Sequence, residues 1–375
     1  MRNVLIYRNE LLPPSETFIA AQAQALQKFT PVFAGIKPAH PTLPLAKESV
    51  VTLTVGNSLA ERMRRKLFSV TGAANGFIQR LQERRPALLH AHFAVDACMA
   101  LPLAEKLKIP LVVTLHGYDV TSEDAAFAAF PFGRMYLAKR KRLWDYAACF
   151  ICISEFIRCA AIDRGFPKEK LWTHFIGIDL KSFVPEESTK REAIVLFVGR
   201  LVEKKGCRHL IQAMARVQEH QPRARLVVIG DGPMRSSLEA EAAAKLKEYQ
   251  FLGVLPQRSV REWLNRSSVF CVPSIIAKNG DAEGLGIVFC EAQAMGVPVV
   301  SFASGGIPEV VAHEESGLLA PEADTNALAE NLLRFLTDEC LVRQFGQVGR
   351  ERMNRLFNLD KQTRLLERRY EEALV

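Results

Sequence analysis

The sequence predicts an α/β protein made of two doubly wound domains, each with a parallel sheet. Apolar runs of strand length, rich in Val, Ile, Leu and Phe, alternate with segments of helical periodicity along the whole chain. The length of 375 residues suits two domains. A composition of 49% hydrophobic and 24% charged residues is typical of a folded globular protein.

The predicted elements follow in alternation. Five strands are expected in the first half of the chain, at 3–7, 31–34, 88–90, 110–115 and 149–153. Five more are expected in the second half, at 194–198, 225–229, 251–252, 269–271 and 298–302. Helices are predicted between them, at 16–28, 98–106, 208–219, 235–249, 259–266, 285–295 and 325–337. Such alternation favours parallel sheets covered by helices on both faces.

The expected domain boundary falls near Gly177–Glu187, where Gly177-Ile178-Asp179 leads into a polar stretch at Pro185–Lys190. We therefore predict an N-terminal domain at 1–183 and a C-terminal domain at 184–357. The last segment, 358–375, has the pattern of an amphipathic helix that can pack back on the N-terminal domain.

Charge is distributed unevenly. Residues 1–184 hold 24 Lys/Arg and 15 Asp/Glu, whereas residues 185–375 hold 25 and 26. Only the first half is therefore expected to be drawn to an anionic surface. No 18-residue apolar run occurs, which argues against a transmembrane helix. The first apolar stretch is too short for a signal peptide, so a cytoplasmic location is expected.

Two basic clusters account for much of this excess. The first can form an amphipathic helix, since an apolar residue recurs every fourth position beside its cations: Leu59, Met63 and Leu67, with Arg62, Arg64, Arg65 and Lys66. The second is Lys139–Arg142, flanked by Phe127, Phe130, Phe132 and Trp144. Docking on an anionic membrane is one interpretation, and solvated basic faces with the apolar stripe packed on the sheet are the other. Nucleic acid is less favoured, because no recognisable binding module accompanies the charge.

The strongest local motif is a glycine-rich loop that enters a helix, at Asp281–Gly296. Gly284 and Gly286 let a ligand approach the backbone, and the first helical turn favours an anion. If the stretch is mostly helical, Glu283 and Glu291 lie about 12 Å apart along the axis. That spacing is too long for a glycosidase carboxylate pair but suits one elongated ligand held at two points. The alternative is an ordinary helix with two solvated carboxylates.

Other glycine loops follow predicted strands of the same domain. Gly305 and Gly306 follow one strand, and Gly230, Asp231 and Gly232 follow another. Because the carboxyl ends of parallel strands share one edge, these loops point to a common crevice. Arg200 and Lys205, after the strand at 194–198, suit a diphosphate, although solvated loop cations are the alternative.

Several familiar motifs are absent. There is no GxGxxG with an acidic residue about 20 positions later, no P-loop, no HExxH and no GxSxG. In the first half, His116 ends a predicted strand and precedes Gly117. That position can present a reactive group, but a structural histidine is an equal alternative.

Together these residues resemble the retaining glycosyltransferases of family 4, which have the GT-B architecture of two domains facing across a crevice. The resemblance covers essentially the whole chain. It is carried by Glu283 and Glu291, Gly199-Arg200 with Lys205-Gly206, Gly230–Pro233, Ser304–Glu309 and His116-Gly117. Ser15–Ile19 and Lys278–Gly284 are similar to the exopolysaccharide and colanic-acid-type enzymes of the family.

The resemblance implies transfer of a hexose from a nucleoside diphosphate sugar to an acceptor hydroxyl, with retention at the anomeric carbon. Same-face attack is implied, with the leaving phosphate taking the acceptor proton. A lipid-linked saccharide acceptor, bacterial-type polysaccharide synthesis and a peripheral position at the inner face of the cell membrane follow as expectations. No cofactor is implied. Metal independence is also expected, since cations and helix N-termini can replace a divalent ion and no Asp-x-Asp occurs.

Roles are implied residue by residue. His116 and Glu283 would face the donor sugar as catalytic groups, Arg200, Lys205, Gly284 and Gly286 would bind the diphosphate, and Glu291 would bind the ribose. Ser15, Glu16 and Asp119 are placed on the acceptor side. Here the chain departs from the family, because the loop after the first strand reads Leu12–Thr17 instead of carrying a Gly-Gly pair. Acceptor handling at this loop therefore does not carry over from the better-known members.

Three rival functions share such a scaffold: a sugar-nucleotide epimerase, a phosphorylase and a non-catalytic nucleotide-sugar binder. A phosphorylase normally needs a cofactor lysine and a longer chain. A binder need not keep His116, Arg200, Lys205, Glu283 and Glu291 together.

Overall fold

The computed structural model describes residues 1–13, 16–37, 45–71, 74–186 and 189–375. It divides into two compact units. The first unit combines Met1–Gly177 with Leu359–Val375, and the second is Ile178–Asn358. The sequence places this division between residues 183 and 184, whereas the structure places it after Gly177. The terminal helix belongs to the first unit.

The first unit is built on a seven-stranded sheet whose strand pairs are all parallel. Its strands are β1 (Arg2–Glu10), β2 (Phe29–Lys37), β3 (Val50–Thr52), β4 (Pro86–His92), β5 (Leu111–Leu115), β6 (Cys149–Cys152) and β7 (Leu171–Thr173). They lie in the order β3-β2-β1-β4-β5-β6-β7. The order reverses between β1 and β4, and a crevice opens at the carboxyl ends of strands at such a point.

Nine described helices belong to this unit: α1 (Thr17–Gln24), α2 (Leu59–Thr71), α3 (Asn75–Glu83), α4 (Ala94–Leu107), α5 (Tyr118–Thr121), α6 (Asp124–Ala128), α7 (Pro131–Tyr146), α8 (Glu155–Asp163) and the C-terminal α16 (Leu359–Ala373). The last helix is tied to the sheet by buried polar groups. Glu367 accepts hydrogen bonds from the backbone N–H groups of Gln27 and Lys28, and Tyr370 is fully buried.

The second unit repeats the design with a six-stranded parallel sheet. Its strands are β8 (Glu192–Val198), β9 (Arg225–Ile229), β10 (Tyr249–Gly253), β11 (Ser267–Cys271), β12 (Val299–Phe302) and β13 (Gly317–Ala320), in the order β10-β9-β8-β11-β12-β13. Its helices are α9 (Cys207–His220), α10 (Arg235–Lys245), α11 (Gln257–Arg266), α12 (Ile287–Ala294), α13 (Ile307–Val310), α14 (Thr325–Thr337) and α15 (Glu339–Leu356). Here the order reverses between β8 and β11.

The predicted fold class is confirmed: both units are doubly wound, parallel-sheet α/β structures. All ten predicted strands exist. The strands that were not predicted, β3, β7 and β13, are edge strands of three or four residues. Their short runs carry little periodicity for a sequence pattern to detect.

Several predicted helix bounds are wrong, including the end of α1 at Gln24 and the start of α4 at Ala94, and two in the second unit bear on the site. The helix expected at 235–249 ends at Lys245, because Tyr249–Gly253 pairs with β9 instead. The helix expected from residue 285 begins at Ile287, because Gly286 adopts a left-handed conformation (φ 81°) at its N-cap. Glu283 therefore lies in the loop before the helix, and the spacing of about 12 Å, which assumed one continuous helix, does not apply.

Among the described residues, none of the helices combines the length and the apolar character needed to cross a bilayer.

Candidate functional site

The loops after β8, β11 and β12 meet at the carboxyl edge of the second unit. Gly306 donates its N–H to the backbone carbonyl of Glu283 (2.9 Å). A Cβ on Gly305 would lie 2.4 Å from that same carbonyl oxygen. Ile275 donates to the carbonyl of Lys204 (2.9 Å). Backbone contact between loops is thus what brings Glu283 next to the loop that carries the lysines.

The glycine loop after β9 packs on the loop after β8 in the same way. A Cβ on Gly230 would fall 1.9 Å from the carbonyl oxygen of Gly199, and Leu201 donates its N–H to the carbonyl of Asp231 (2.9 Å). The Asp231 carboxylate accepts from the N–H of Gly232 (2.7 Å) and pairs with Arg235 (3.3 Å). The Asp231 side chain therefore stabilises the turn to which it belongs.

Glu283 is the charged centre of this edge. It is buried and forms an ion pair with Lys205. Burial alone would raise the pKa of Glu283, but Lys205, Lys204 and Arg200 outweigh burial and hold its pKa below the usual range. The carboxylate is therefore ionised and can accept hydrogen bonds from hydroxyl groups.

Arg200 is exposed, and its guanidinium makes no ion pair within the described ranges of the chain. It therefore remains able to take a bidentate anionic ligand. Next to Lys205, Lys204 pairs with Asp281 at 2.9 Å. This second ion pair was not predicted. It adds a second link between the loops that follow β8 and β11.

Glu291 lies on α12, partly buried. Burial raises the pKa of its carboxyl group to about 7, against a hydrogen bond from Gln257 that lowers it. Gly286 packs tightly at the start of this helix, since a Cβ there would meet the Phe289 ring at 2.4 Å. Gly284, the other predicted glycine, is buried in the same loop.

In the first unit, His116 follows β5 and lies in an aromatic cluster. The rings of Phe93 and Phe18 lie with centroids 4.5 and 5.4 Å from its own. Its Nε2 is 3.0 Å from Nδ1 of His92. Burial lowers the pKa of His116 well below its usual value, and nearby Arg8 and His90 act in the same direction. His116 is therefore a neutral imidazole.

Asp119 is fully buried, and its carboxylate is engaged by the backbone. It accepts hydrogen bonds from the N–H groups of Ala94 (3.0 Å), His116 (3.1 Å) and Gly117 (2.9 Å). These bonds fasten the His116 loop to the N-terminus of α4. Asp119 positions this loop, and its carboxylate oxygens are occupied by the backbone.

Glu16, predicted on the acceptor side, belongs to a buried charge cluster that the sequence did not reveal. Arg8 donates two hydrogen bonds to Glu16 (2.7 and 2.6 Å) and pairs with Asp96, while Asn9 donates to Asp96 (2.8 Å). The Arg8 guanidinium also lies 4.3 Å from the Phe93 ring centroid. Burial raises the pKa of Asp96 to about 6, opposed by Arg8. Ser15 lies outside the described residues.

The structure therefore gathers two groups of predicted residues, one in each unit. The second unit holds the predicted donor residues Arg200, Lys205, Glu283 and Glu291, and the first unit holds His116, Asp119 and Glu16 around Phe93. Asp96 could have been suspected, since it is the one charged residue in the run Phe93–Ala104. Within the described residues, no group of three or more His, Cys, Asp or Glu side chains is placed to hold a metal ion.

Comparison with known proteins identifies the family. The family model "Glycosyltransferase Family 4" matches residues 17–182, and "Glycosyl transferases group 1" matches residues 180–352. A Bacillus subtilis protein assigned by name to teichuronic acid biosynthesis, TuaC, is 30% identical over 303 residues, or 76% of this chain and 70% of TuaC. The chain belongs to glycosyltransferase family 4.

A second relative is the amylovoran biosynthesis glycosyltransferase AmsK of Erwinia amylovora. It is 31% identical over 280 residues, which is 71% of this chain. The match spans 65% of AmsK, less than two thirds of that protein's length.

A solved structure shares the fold of this family 4 chain over nearly its whole length. The Anabaena protein Alr3699/HepE, crystallised with UDP and glucose, has a TM-score of 0.80 and 17% identity. The likeness covers 99% of this chain and 100% of that protein.

Proposed function

We propose that this family 4 chain transfers a hexose from a nucleoside diphosphate sugar to a saccharide acceptor hydroxyl, with retention at the anomeric carbon. The observation that carries the proposal is the group of three cations, Arg200, Lys204 and Lys205, around the buried carboxylate of Glu283. Cations at this edge stabilise the charge that develops on a departing diphosphate. The carboxylate between them suits the hydroxyls of the sugar attached to it.

The remaining roles are those that the family resemblance implies. Glu291 on α12 would bind the ribose, and His116 in the first unit would contribute a neutral ring to the sugar. AmsK is named for amylovoran synthesis and TuaC for teichuronic acid synthesis, which supports a polysaccharide or glycolipid product. Anabaena HepE binds UDP and glucose, which supports a nucleotide-sugar donor. We propose that no cofactor or metal takes part, because Arg200 and Lys205 can neutralise the diphosphate.

Nucleotide binding is the first test. Titration calorimetry with UDP, GDP and ADP should give an affinity for at least one of them. Arg200→Ala and Lys205→Ala should each weaken it about tenfold or more, since each removes a charge-assisted hydrogen bond. Arg258→Ala, an exposed cation on α11 in the same unit, is the matched control. Unchanged affinity in both site variants would remove the assignment.

Product analysis separates the rival functions. With a labelled donor, a transferase moves the label to an acceptor, an epimerase returns it on the nucleotide as a different sugar, and a binder leaves the donor intact. Turnover should survive a chelator. Loss of turnover with the chelator and its recovery with Mg²⁺ would overturn metal independence.

We further propose that the enzyme works on a lipid-linked acceptor at the inner face of the cell membrane, with α2 as its anionic-lipid contact. Leu59, Met63 and Leu67 are 75%, 65% and 57% exposed. They recur every fourth residue and form one stripe, opposite the buried Phe68. A stripe packed on the sheet, the alternative interpretation, does not occur.

The cations of α2 differ in exposure and in hydrogen bonding. Arg62, Arg64 and Lys66 have exposed side chains, and Arg62 also donates to the carbonyl of Asn57 (3.1 Å). Arg65 is less exposed and donates to Thr54 (3.0 Å) and to the carbonyl of Gly56 (2.9 Å). Glu61, the one acidic residue of the helix, is occupied by the N–H groups of Val55, Gly56 and Ser58. Basic residues near an anionic leaflet contribute about 1 kcal/mol each, enough together for reversible docking.

The second predicted cluster is a weaker candidate. Arg140 shares the carboxylate of Asp124 with Arg164 (3.0 Å each), and Arg142 pairs with Glu105 (2.7 Å), so two of its four cations already have carboxylate partners inside the unit. Phe127 is buried.

Vesicle sedimentation tests the α2 contact. Binding to phosphatidylglycerol vesicles should fall with salt and with the triple change Arg62→Gln, Arg64→Gln and Lys66→Gln. Lys139→Gln with Lys141→Gln, in the second cluster, is the matched control and should bind as the parent does. Equal binding to phosphatidylcholine vesicles, or none to anionic ones, would contradict the proposal.

A further inference from the structure

Three histidine rings stand in a row at the carboxyl edge of the first unit. His90 and His92, both at the end of β4, lie with ring centroids 4.3 Å apart. His92 and His116 are nearly parallel, with centroids 5.2 Å apart and an interplanar angle of 26°. The mechanism proposed above uses only His116, which leaves the other two rings without a role.

His92 and His116 share one hydrogen bond. Nδ1 of His92 lies 3.0 Å from Nε2 of His116, so one nitrogen must carry the proton and the other must accept it. Both rings are neutral, because burial lowers the pKa of each well below its usual value and the neighbouring charge of Arg8 adds to this. Two neutral rings allow only two arrangements of the shared proton.

The two arrangements differ in what His116 offers a ligand. If His92 donates, His116 carries its proton on Nδ1 and can only donate there. If His116 donates from Nε2, its Nδ1 keeps a lone pair. In the second arrangement both rings have the Nε2–H form, which a neutral imidazole intrinsically favours. Within the described part of the chain, Nδ1 of His116 has no hydrogen-bond partner.

The ring of His92 is held in place for this contact. Its neighbour His90, whose ring is tilted by 31° against it, is fixed at both nitrogens, by Tyr370 of α16 (2.5 Å) and by Thr114 of β5 (2.6 Å). The residue after His92, Phe93, has a left-handed backbone (φ 68°), and the N–H of Ala94 beyond it is bound by Asp119. A bulky residue adopts that conformation only where its surroundings enforce it.

We propose that His92 is a positioning residue that accepts the Nε2–H of His116 and thereby keeps Nδ1 of His116 as a hydrogen-bond acceptor for a substrate hydroxyl. That the hydroxyl belongs to a sugar rests on the proposed function. The proton arrangement itself does not.

Nitrogen-15 NMR of histidine-labelled protein tests the arrangement without any substrate. The His116 resonances, assigned by their loss in His116→Gln, should show a protonated Nε2 and an unprotonated Nδ1. A protonated Nδ1 in the parent protein would overturn the proposal. This outcome is independent of whether the chain transfers sugar.

Variants at His92 test its effect. His92→Phe keeps a ring but removes the acceptor, so His116 should show a mixture of tautomers, and kcat should fall about tenfold, equivalent to one hydrogen bond. His92→Asn keeps an acceptor near the position of Nδ1 and should restore the single tautomer and most of the kcat. The free-nucleotide affinity should not change in either variant.

Tyr370→Phe is the matched control. It removes one buried hydrogen bond from His90 in the same cluster and leaves the His92–His116 contact in place. It should lower thermal stability without altering the His116 spectrum. An unchanged His116 spectrum in His92→Phe would contradict the proposal, and should that variant fail to fold, the parent spectrum and His92→Asn still decide it.

Discussion

At the scale of single residues, two carboxylates of one motif have opposite electrostatic environments. Glu283 is surrounded by Arg200, Lys204 and Lys205, which lower its pKa despite burial. Within the described ranges no cation lowers the pKa of Glu291, and burial raises it to about 7. At neutral pH the Glu283 carboxylate is therefore ionised, whereas the Glu291 carboxyl group, with a pKa of about 7, is about half protonated. This difference is open to measurement in two ways.

The first prediction concerns stability and pH. Between its ordinary pKa of 4.5 and about 7, the unfolded state releases the Glu291 proton that the folded state retains. The contribution of Glu291 to folding stability therefore falls as pH rises through that window. Glu291→Gln removes this loss, so its Tm relative to the parent should be higher at pH 8 than at pH 5. Calorimetric melts at both pH values test it, with Glu262→Gln on α11 as an exposed control.

The second prediction separates the roles of the two carboxylates. Glu283→Gln should lower kcat far more than it weakens binding of free nucleotide, because the carboxylate is assigned to the sugar. Glu291→Gln should weaken nucleotide and intact donor by the same factor. Steady-state kinetics and calorimetry on both variants give the comparison. Full activity in Glu283→Gln would be incompatible with the proposed site.

At the scale of elements, the site depends on how closely the loops of the second unit approach one another. Gly305 has a left-handed backbone (φ 58°), and its Cα faces the Glu283 carbonyl at a distance that leaves no room for a Cβ. Nothing about this approach depends on the side chain of Glu283. Backbone packing sets the position of the loop that carries Glu283, and the ion pair with Lys205 then orients the carboxylate.

The third prediction follows from that packing. Gly305→Ala should destabilise the protein by about 1 kcal/mol or more and weaken donor binding, since the Glu283 loop must move. Gly76→Ala is the matched control: that glycine lies in α3 with nothing within 4 Å of a Cβ, so alanine should stabilise by up to about 1 kcal/mol. Equal effects of the two changes on stability and donor affinity would contradict the loop model.

The sequence predicted the individual helices and strands better than it predicted the contacts between them. Apolar runs revealed the central strands, and glycine after a strand revealed the loops at the carboxyl edge. The Arg8–Asp96 and His92–His116 contacts were missed, because they join residues 88 and 24 positions apart. The elements that carry them become neighbours only in the folded unit. Helical periodicity also continued past Lys245, where pairing of Tyr249–Gly253 with β9 prevails over local preference.

At the scale of the whole molecule, the chain combines a basic first half with a nearly neutral second half. The structure shows that the two basic clusters of the first half differ in their contacts. Arg62, Arg64 and Lys66 of α2 are exposed beside an apolar stripe, whereas Arg140 and Arg142 form ion pairs within the first unit. A count of charges alone could not separate these two clusters, because it does not show which carboxylates face them.

The central claim is that this family 4 chain transfers a sugar with retention, through Glu283 and the cations beside it. Proton NMR of the product at early reaction times tests this most directly. The anomeric proton of the transferred hexose should show the same configuration as the α-linked donor, and Glu283→Gln should slow its appearance without changing that configuration. An inverted anomeric configuration, or no acceptor-linked product with any donor that binds, would contradict the account.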